Sequence, residues 1–108
     1  MAAERQELSA LLEAVEQSLK ECGLWGGADK RPPSEAFLSQ TPFFLDTMQL
    51  HEWLEYLLLP KLRELNDSGG DLPRGLLVHT LAEEYYRGRW QELRSLLRSL
   101  RRLDAFLA

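Results

Sequence analysis

Cysteine, histidine and long apolar runs are all scarce in this chain of 108 residues. A lone cysteine, Cys22, cannot close an intrachain disulfide, so the fold does not depend on an oxidising compartment. No stretch of about 18 apolar residues runs uninterrupted, which argues against a transmembrane helix. Glu4, Arg5 and Glu7 stand where a signal peptide needs a basic start and then an apolar run. The cytoplasm is therefore the expected location, with no membrane partner. Alternation of apolar and polar residues over strand length is missing too. Without a strand to follow, Gly26-Gly27 and Gly69-Gly70 read as turn pairs and not as phosphate loops.

What is present fits one globular domain over residues 1–108. Hydrophobic content of 44% and charged content of 28% are ordinary for such a domain. The net charge of −4 is unevenly placed. Residues 1–84 carry a balance of −8, whereas residues 85–108 set six arginines against Glu92 and Asp104. An acidic body with a basic tail helix points to partner recognition or self-association more than to bulk binding of nucleic acid.

Apolar residues recur at helical spacing along most of the chain. Leu8, Leu11, Leu12, Val15 and Leu19 predict a first helix over Ala3–Cys22, ended by Gly23 in a left-handed cap. Residues 25–40 hold Gly26, Gly27, Pro32 and Pro33, too many breakers for a long element, with Trp25 packing back on the core. A second helix starts between Asp46 and Leu50, with Asp46 and Gln49 as a capping box or Thr47 or Gln49 as the cap. Its face of Leu50, Trp53, Leu54, Leu57, Leu58, Leu62 and Leu65, widened by Tyr56 and Leu59, marks it as central. The widening favours a homodimer. Pro60 has no N–H to donate and predicts a kink. A third helix over Leu76–Tyr86 turns Leu77, Leu81 and Tyr85 inward. A fourth over Arg89–Leu107 carries a seam of Trp90, Leu93, Leu96, Leu97, Leu100, Leu103 and Leu107. The expected fold is all-α, an antiparallel four-helix bundle or a related helical array.

Catalytic constellations are incomplete. His51-Glu52-x-x-Glu55 partly resembles a zinc-protease helix, but Glu55 stands where the second histidine ligand is required. His51 and His79 read as solvated, and Cys22, at the C-terminal end of a helix, as a structural thiol. No catalytic residue, metal or cofactor is expected. Two surfaces stand out instead. Arg94, Arg98 and Arg101, with Arg102 beside them, project from the last helix; they read as a solvated face, a protein contact or an RNA contact. Thr41–Met48 puts Phe43, Phe44 and Met48 on a loop, where they either staple it beside Trp53 or meet a partner.

The run Thr41-Pro-Phe-Phe-Leu-Asp-Thr-Met48, followed by Glu52-Trp53-Leu54 and Leu59-Pro60, resembles the signature of the YqcC-like family of small bacterial proteins. The resemblance spans essentially the whole chain, and its specific part is confined to Thr41–Pro60. Its signature positions here are Pro42, Phe43, Phe44, Asp46, Thr47, Met48, Glu52, Trp53, Leu54 and Pro60. Some relatives carry proline where this chain has Leu50, which suits the first turn of a helix. The resemblance implies an all-helical bundle without an established activity, associated with tRNA pseudouridine synthase C. It transfers no catalytic residue, and the chain is too short and too helical to be the synthase itself.

Three functions follow in order. The first is a non-enzymatic protein-interaction module, an accessory to tRNA modification whose partner is a tRNA pseudouridine synthase. The second is a small RNA-binding helper using Arg94, Arg98, Arg101 and Arg102. The third is an enzyme with an unrecognised site near Asp46, His51 and Glu52.

Overall fold

The leucine stripe of the first twenty residues forms α1 (Ala2–Glu21), and its five apolar positions from Leu8 to Leu19 are all buried. The computed structural model describes residues 2–108. Gly23, at φ 74°, ends α1: its N–H reaches the Lys20 carbonyl and the Leu24 N–H reaches that of Leu19. Those two bonds satisfy carbonyls that the helix end would otherwise leave orphaned. Three short 3₁₀ turns follow, Ala28–Lys30, Ser34–Leu38 and Pro42–Phe44. They account for the breaker-rich connection without a long element.

The central rod is continuous from Leu50 to Ser68 but not uniform. It comprises α2 (Leu50–Trp53), a π turn (Leu54–Leu58) and α3 (Leu59–Ser68). Gln49 caps α2, and its N–H is received by Glu52 Oε1 at 2.7 Å, so the capping box is Gln49–Glu52 and not Asp46–Gln49. Leu50 is the first helical residue, the position at which proline is tolerated. Just before Pro60, where a kink was expected, lies the π turn, in which the Leu59 N–H bonds the Leu54 carbonyl five residues back.

This π turn rotates the chain, and Glu55, Tyr56, Leu58 and Leu59 are all buried within the fold. The residues of the expected widening, Tyr56 and Leu59, are thus buried within this chain. Gly69, at φ 72°, ends α3 as Gly23 ends α1.

Two register expectations are corrected. The third helix is shorter, α4 (Val78–Tyr85), and turns Val78 and Ala82 inward with Tyr86 just beyond it, while Leu77 and Tyr85 are exposed. Leu77 caps the helix in a non-helical conformation, so the inward face begins one residue later. The last helix, α5 (Arg94–Phe106), starts five residues after the expected Arg89, and Trp90 lies half-exposed before it, outside the seam. The six leucines of that seam from Leu93 to Leu107 are buried.

α1 packs against both α5 and α3, and α4 packs against α5. The apolar cluster they enclose draws on every helix, with Trp25 and Trp53 at its margin. Glu16 ties α1 to α3 by receiving Arg63 at 2.8 Å, while Lys20 approaches at 2.9 Å. The Lys20 hydrogen bond first, and Arg63 next among its cationic partners, hold the Glu16 carboxyl below the usual range. Among the described residues all regular structure is helical, and no helix is long and apolar enough to cross a membrane.

Candidate docking cleft and basic groove

Phe43 and Phe44 both adopt left-handed backbone conformations, with φ 59° and 55°. For bulky side chains this costs about 1–2 kcal/mol per residue. Several contacts hold the loop against that cost. The Phe43 ring meets the Trp53 ring edge-on, with centroids 5.0 Å apart. Met48 is buried, and Thr47 Oγ1 donates to the Ala36 carbonyl at 2.7 Å. Ser39 Oγ donates to Asp46 at 2.5 Å and accepts the Thr41 N–H at 3.0 Å. The Ser39 hydroxyl, followed by Thr41, keeps the exposed Asp46 carboxyl below its ordinary pKa.

The residues on which the expected signature rests therefore separate by surroundings. Met48 and Leu54 lie in the core, Thr47 and Glu52 bond backbone groups, and Asp46 accepts the Ser39 hydroxyl. Pro42 and Pro60 are exposed. Phe43, Phe44 and Trp53 stay half-buried. Beside them Phe44, Trp53, Leu57, Leu58 and Lys61 line an open, almost wholly apolar cleft of about 260 Å³. Apolar walls and one rim cation suit the anchor side chain of a protein partner.

A second arrangement, which sequence reasoning missed, joins the central rod to the loop after α1. Buried Glu55 accepts the N–H groups of Gly26 and Gly27 at 2.8 and 2.7 Å, and the Tyr56 hydroxyl donates to the Gly27 carbonyl at 2.6 Å. A Cβ on Gly26 would stand 2.6 Å from the Tyr56 hydroxyl oxygen and 2.8 Å from Lys30 Cβ, so the close approach requires glycine. Arg31 lies over the rings of both Phe37 and Tyr56. Consecutive residues 55 and 56 can both face the glycine loop because the π turn bulges there. The available signal was Glu55 itself: an acid inside the apolar run from Trp53 to Leu59 requires donors when buried.

His51, in contrast, is half-buried on α2, and Nδ1 has no hydrogen-bond partner among the described residues. Burial lowers its pKa, against the opposing pull of Glu52 and Glu55. Cys22 is partly buried, its Sγ 3.8 Å from the Glu92 carbonyl, and burial raises its pKa, which suits an inert thiol.

The arginines lie on the opposite part of the sequence. Arg94, Arg98 and Arg101 line a groove of about 350 Å³ between α4 and α5, together with His79, Glu83 and Trp90. Arg102 faces elsewhere, beside Glu7 and Phe106. Arg87 pairs with Glu84 and Arg89 with Glu92. Arg94, Arg98, Arg101 and Arg102 form no ion pair among the described residues. The Trp90 indole N–H donates to the Glu83 carbonyl at 2.9 Å, which fixes a half-exposed ring at the groove's edge. Neither His79 nor Trp90 was expected there.

Comparison with known proteins bears out the family resemblance. The family DUF446, described as tRNA pseudouridine synthase C, matches residues 7–106. An uncharacterized protein of Haemophilus influenzae is 33% identical over 100 residues, covering 93% of this chain and 92% of that one. The uncharacterized protein YqcC of Escherichia coli is 33% identical over 97 residues, covering 90% and 87%. A protein named tRNA pseudouridine synthase C from Pectobacterium carotovorum is 36% identical over 89 residues, which are 82% of this chain but 23% of that protein. The solution NMR structure of Escherichia coli YqcC superposes with a TM-score of 0.84 at 30% identity, over 97% of this chain and 88% of that one. By sequence along nearly its whole length and by its helical fold, this chain belongs to the YqcC-like family, DUF446.

Proposed function

We propose that this chain is a non-enzymatic helical module that docks on tRNA pseudouridine synthase C in the cytoplasm, with the Phe44–Trp53–Leu57 cleft receiving an apolar side chain of the synthase. The observation that carries this reading is the Pectobacterium protein. There a segment like most of this chain forms 23% of a longer protein bearing the synthase name. Tethering places two modules at millimolar-scale effective concentration, and an arrangement of that kind fits partners that also meet as separate chains. The cleft supports the same reading, because strained Phe43 and Phe44 are held in place beside a half-open apolar wall. Asp46 and Glu52 hold loop and cap hydrogen bonds, a use that favours docking over proton transfer.

The test is co-purification of the tagged chain with tRNA pseudouridine synthase C from the same organism. A complex is expected for the natural chain, and Leu57→Glu should weaken it at least about tenfold by putting a charge on the apolar wall. Failure to form any complex at micromolar concentrations rejects the reading. A complex indifferent to Leu57→Glu moves the contact away from the cleft.

A further inference from the structure

The α4–α5 groove has a composition that the docking cleft does not explain. Its arginines stand at positions 94, 98 and 101, one and two turns apart on a single face of α5. Among the described residues they form no ion pair, as Arg102 does not, whereas Arg87 and Arg89 are neutralised by Glu84 and Glu92. Among the described residues that line the groove, three arginines face a single acid, Glu83, so the lining is positive although the whole chain carries −4.

An aromatic surface joins these charges. Trp90 is 50% exposed, and its indole N–H is already engaged by the Glu83 carbonyl. The ring is thus held in position with apolar surface free, beside Leu97. A solvated arginine face needs no fixed indole at its border. An acidic peptide would use the guanidinium groups but would gain little from the ring. A nucleic-acid strand uses both: guanidinium forks meet phosphate oxygens two at a time, and a base stacks on the indole. The segment 85–108 has six arginines and no lysine, which matches that bidentate demand.

We infer that the groove between α4 and α5 binds single-stranded nucleic acid, with Arg94, Arg98 and Arg101 on consecutive phosphates and Trp90 stacking on one base. This site is separate from the synthase-docking cleft and requires no synthase.

The experiment is fluorescence anisotropy of labelled dodecamers of uridine and of thymidine with the full chain, at several salt concentrations. Three phosphate contacts predict that log Kd rises against log salt with a slope of about 2 for a single strand. Trp90→Ala should weaken binding by about 5- to 100-fold, while Trp90→Phe retains most of it. Arg98→Gln should weaken binding and lower the salt slope by about 0.7, whereas Arg102→Gln, off the groove, should change Kd by less than about twofold. Circular dichroism checks that each variant stays folded. Binding of either oligomer supports the groove, and a preference between the uridine and thymidine arms tells RNA from DNA. Absence of binding at low salt overturns the inference. So does equal binding by Trp90→Ala, an Arg102→Gln loss as large as that of Arg98→Gln, or displacement of the oligomer by polyglutamate at equal charge.

Discussion

The carboxylate of Glu55 holds the backbone N–H of Gly27 at 2.7 Å from the middle of a π turn, with the Gly26 N–H on its other oxygen. Through this contact the central rod fixes the loop that follows α1. Charge-assisted bonds of this type are worth about 1.5–3 kcal/mol each, and a buried donor left without its acceptor is costly. Glu55→Ala should therefore lower stability by about 3 kcal/mol, and Glu55→Gln by less, because the amide oxygen still accepts one bond. Tyr56→Phe should cost about 1 kcal/mol. Thermal denaturation reads the difference, at about 4–8 °C per kcal/mol for a domain near this size. A Glu55→Ala melting point within a degree of the parent would show that the lock contributes nothing.

Pro60 sits at the start of α3, exposed, and just beyond the π turn. A regular helix from Leu50 onward would rotate Glu55 and Tyr56 relative to the residues after them by about 100° per residue of slip. Pro60→Ala returns the missing N–H, yet the bulge should persist, because the buried Glu55 and Tyr56 bonds to the glycine loop hold it. Stability should change by less than about 1 kcal/mol, since a gain in propensity meets an intact lock. Amide exchange at Gly26 and Gly27 checks this: protection should survive the substitution, and its loss would make Pro60 the cause of the bulge.

Phe43 and Phe44 separate strain from packing. Phe43 meets Trp53 edge-on, so Phe43→Ala should lose about 1–3 kcal/mol from burial and the aromatic pair. Phe44 combines a left-handed backbone with a half-buried ring on the cleft. Phe44→Gly relieves about 1 kcal/mol of strain while losing packing of similar size. Its stability should stay within about 1 kcal/mol of the parent while synthase binding falls. Urea denaturation alongside the co-purification assay distinguishes the two residues; equal loss of stability in both would assign Phe44 to packing alone.

His51 supplies a pH dependence. Burial, the largest cause, sets its folded pKa below 6.5, so the unfolded chain binds the proton more readily. Its contribution to stability is complete above 6.5 and is lost as pH falls from there through the folded value. His51→Gln should flatten this part of the curve in a urea titration from pH 7 to 5. An unchanged slope would place the acid sensitivity on other groups. Asp104 works in the other sense: burial raises its pKa above 3.8, so ionising it as pH rises disfavours the fold, and its Oδ2 bond to the His79 N–H at 2.7 Å offsets part of that.

Much of the helical content was readable because burial repeats every three or four residues. The α1 stripe, the Gly23 cap and the leucines of α5 follow from that period and from the freedom of glycine at positive φ. The register of α4 was not readable. Leu77-Leu81-Tyr85 and Val78-Ala82-Tyr86 are both apolar at helical spacing, and which one turns inward depends on how α4 meets α5. Trp90 was assigned to the seam on spacing alone, although α5 begins only at Arg94.

Of the two candidate surfaces, the aromatic loop and the arginine face were visible as residues, but their surroundings were not. Local pattern determined the all-helical class of this protein, most of its buried leucines and its family resemblance, because those depend on neighbours a few residues apart. Tertiary structure decided that Glu55 and Tyr56 clasp a glycine pair 28 or 29 residues away, and that Trp90 and His79 join the arginines in one groove. Such groupings depend on contacts between segments distant in the chain, where a side chain's meaning is set by the donors, charges and rings that folding brings to it.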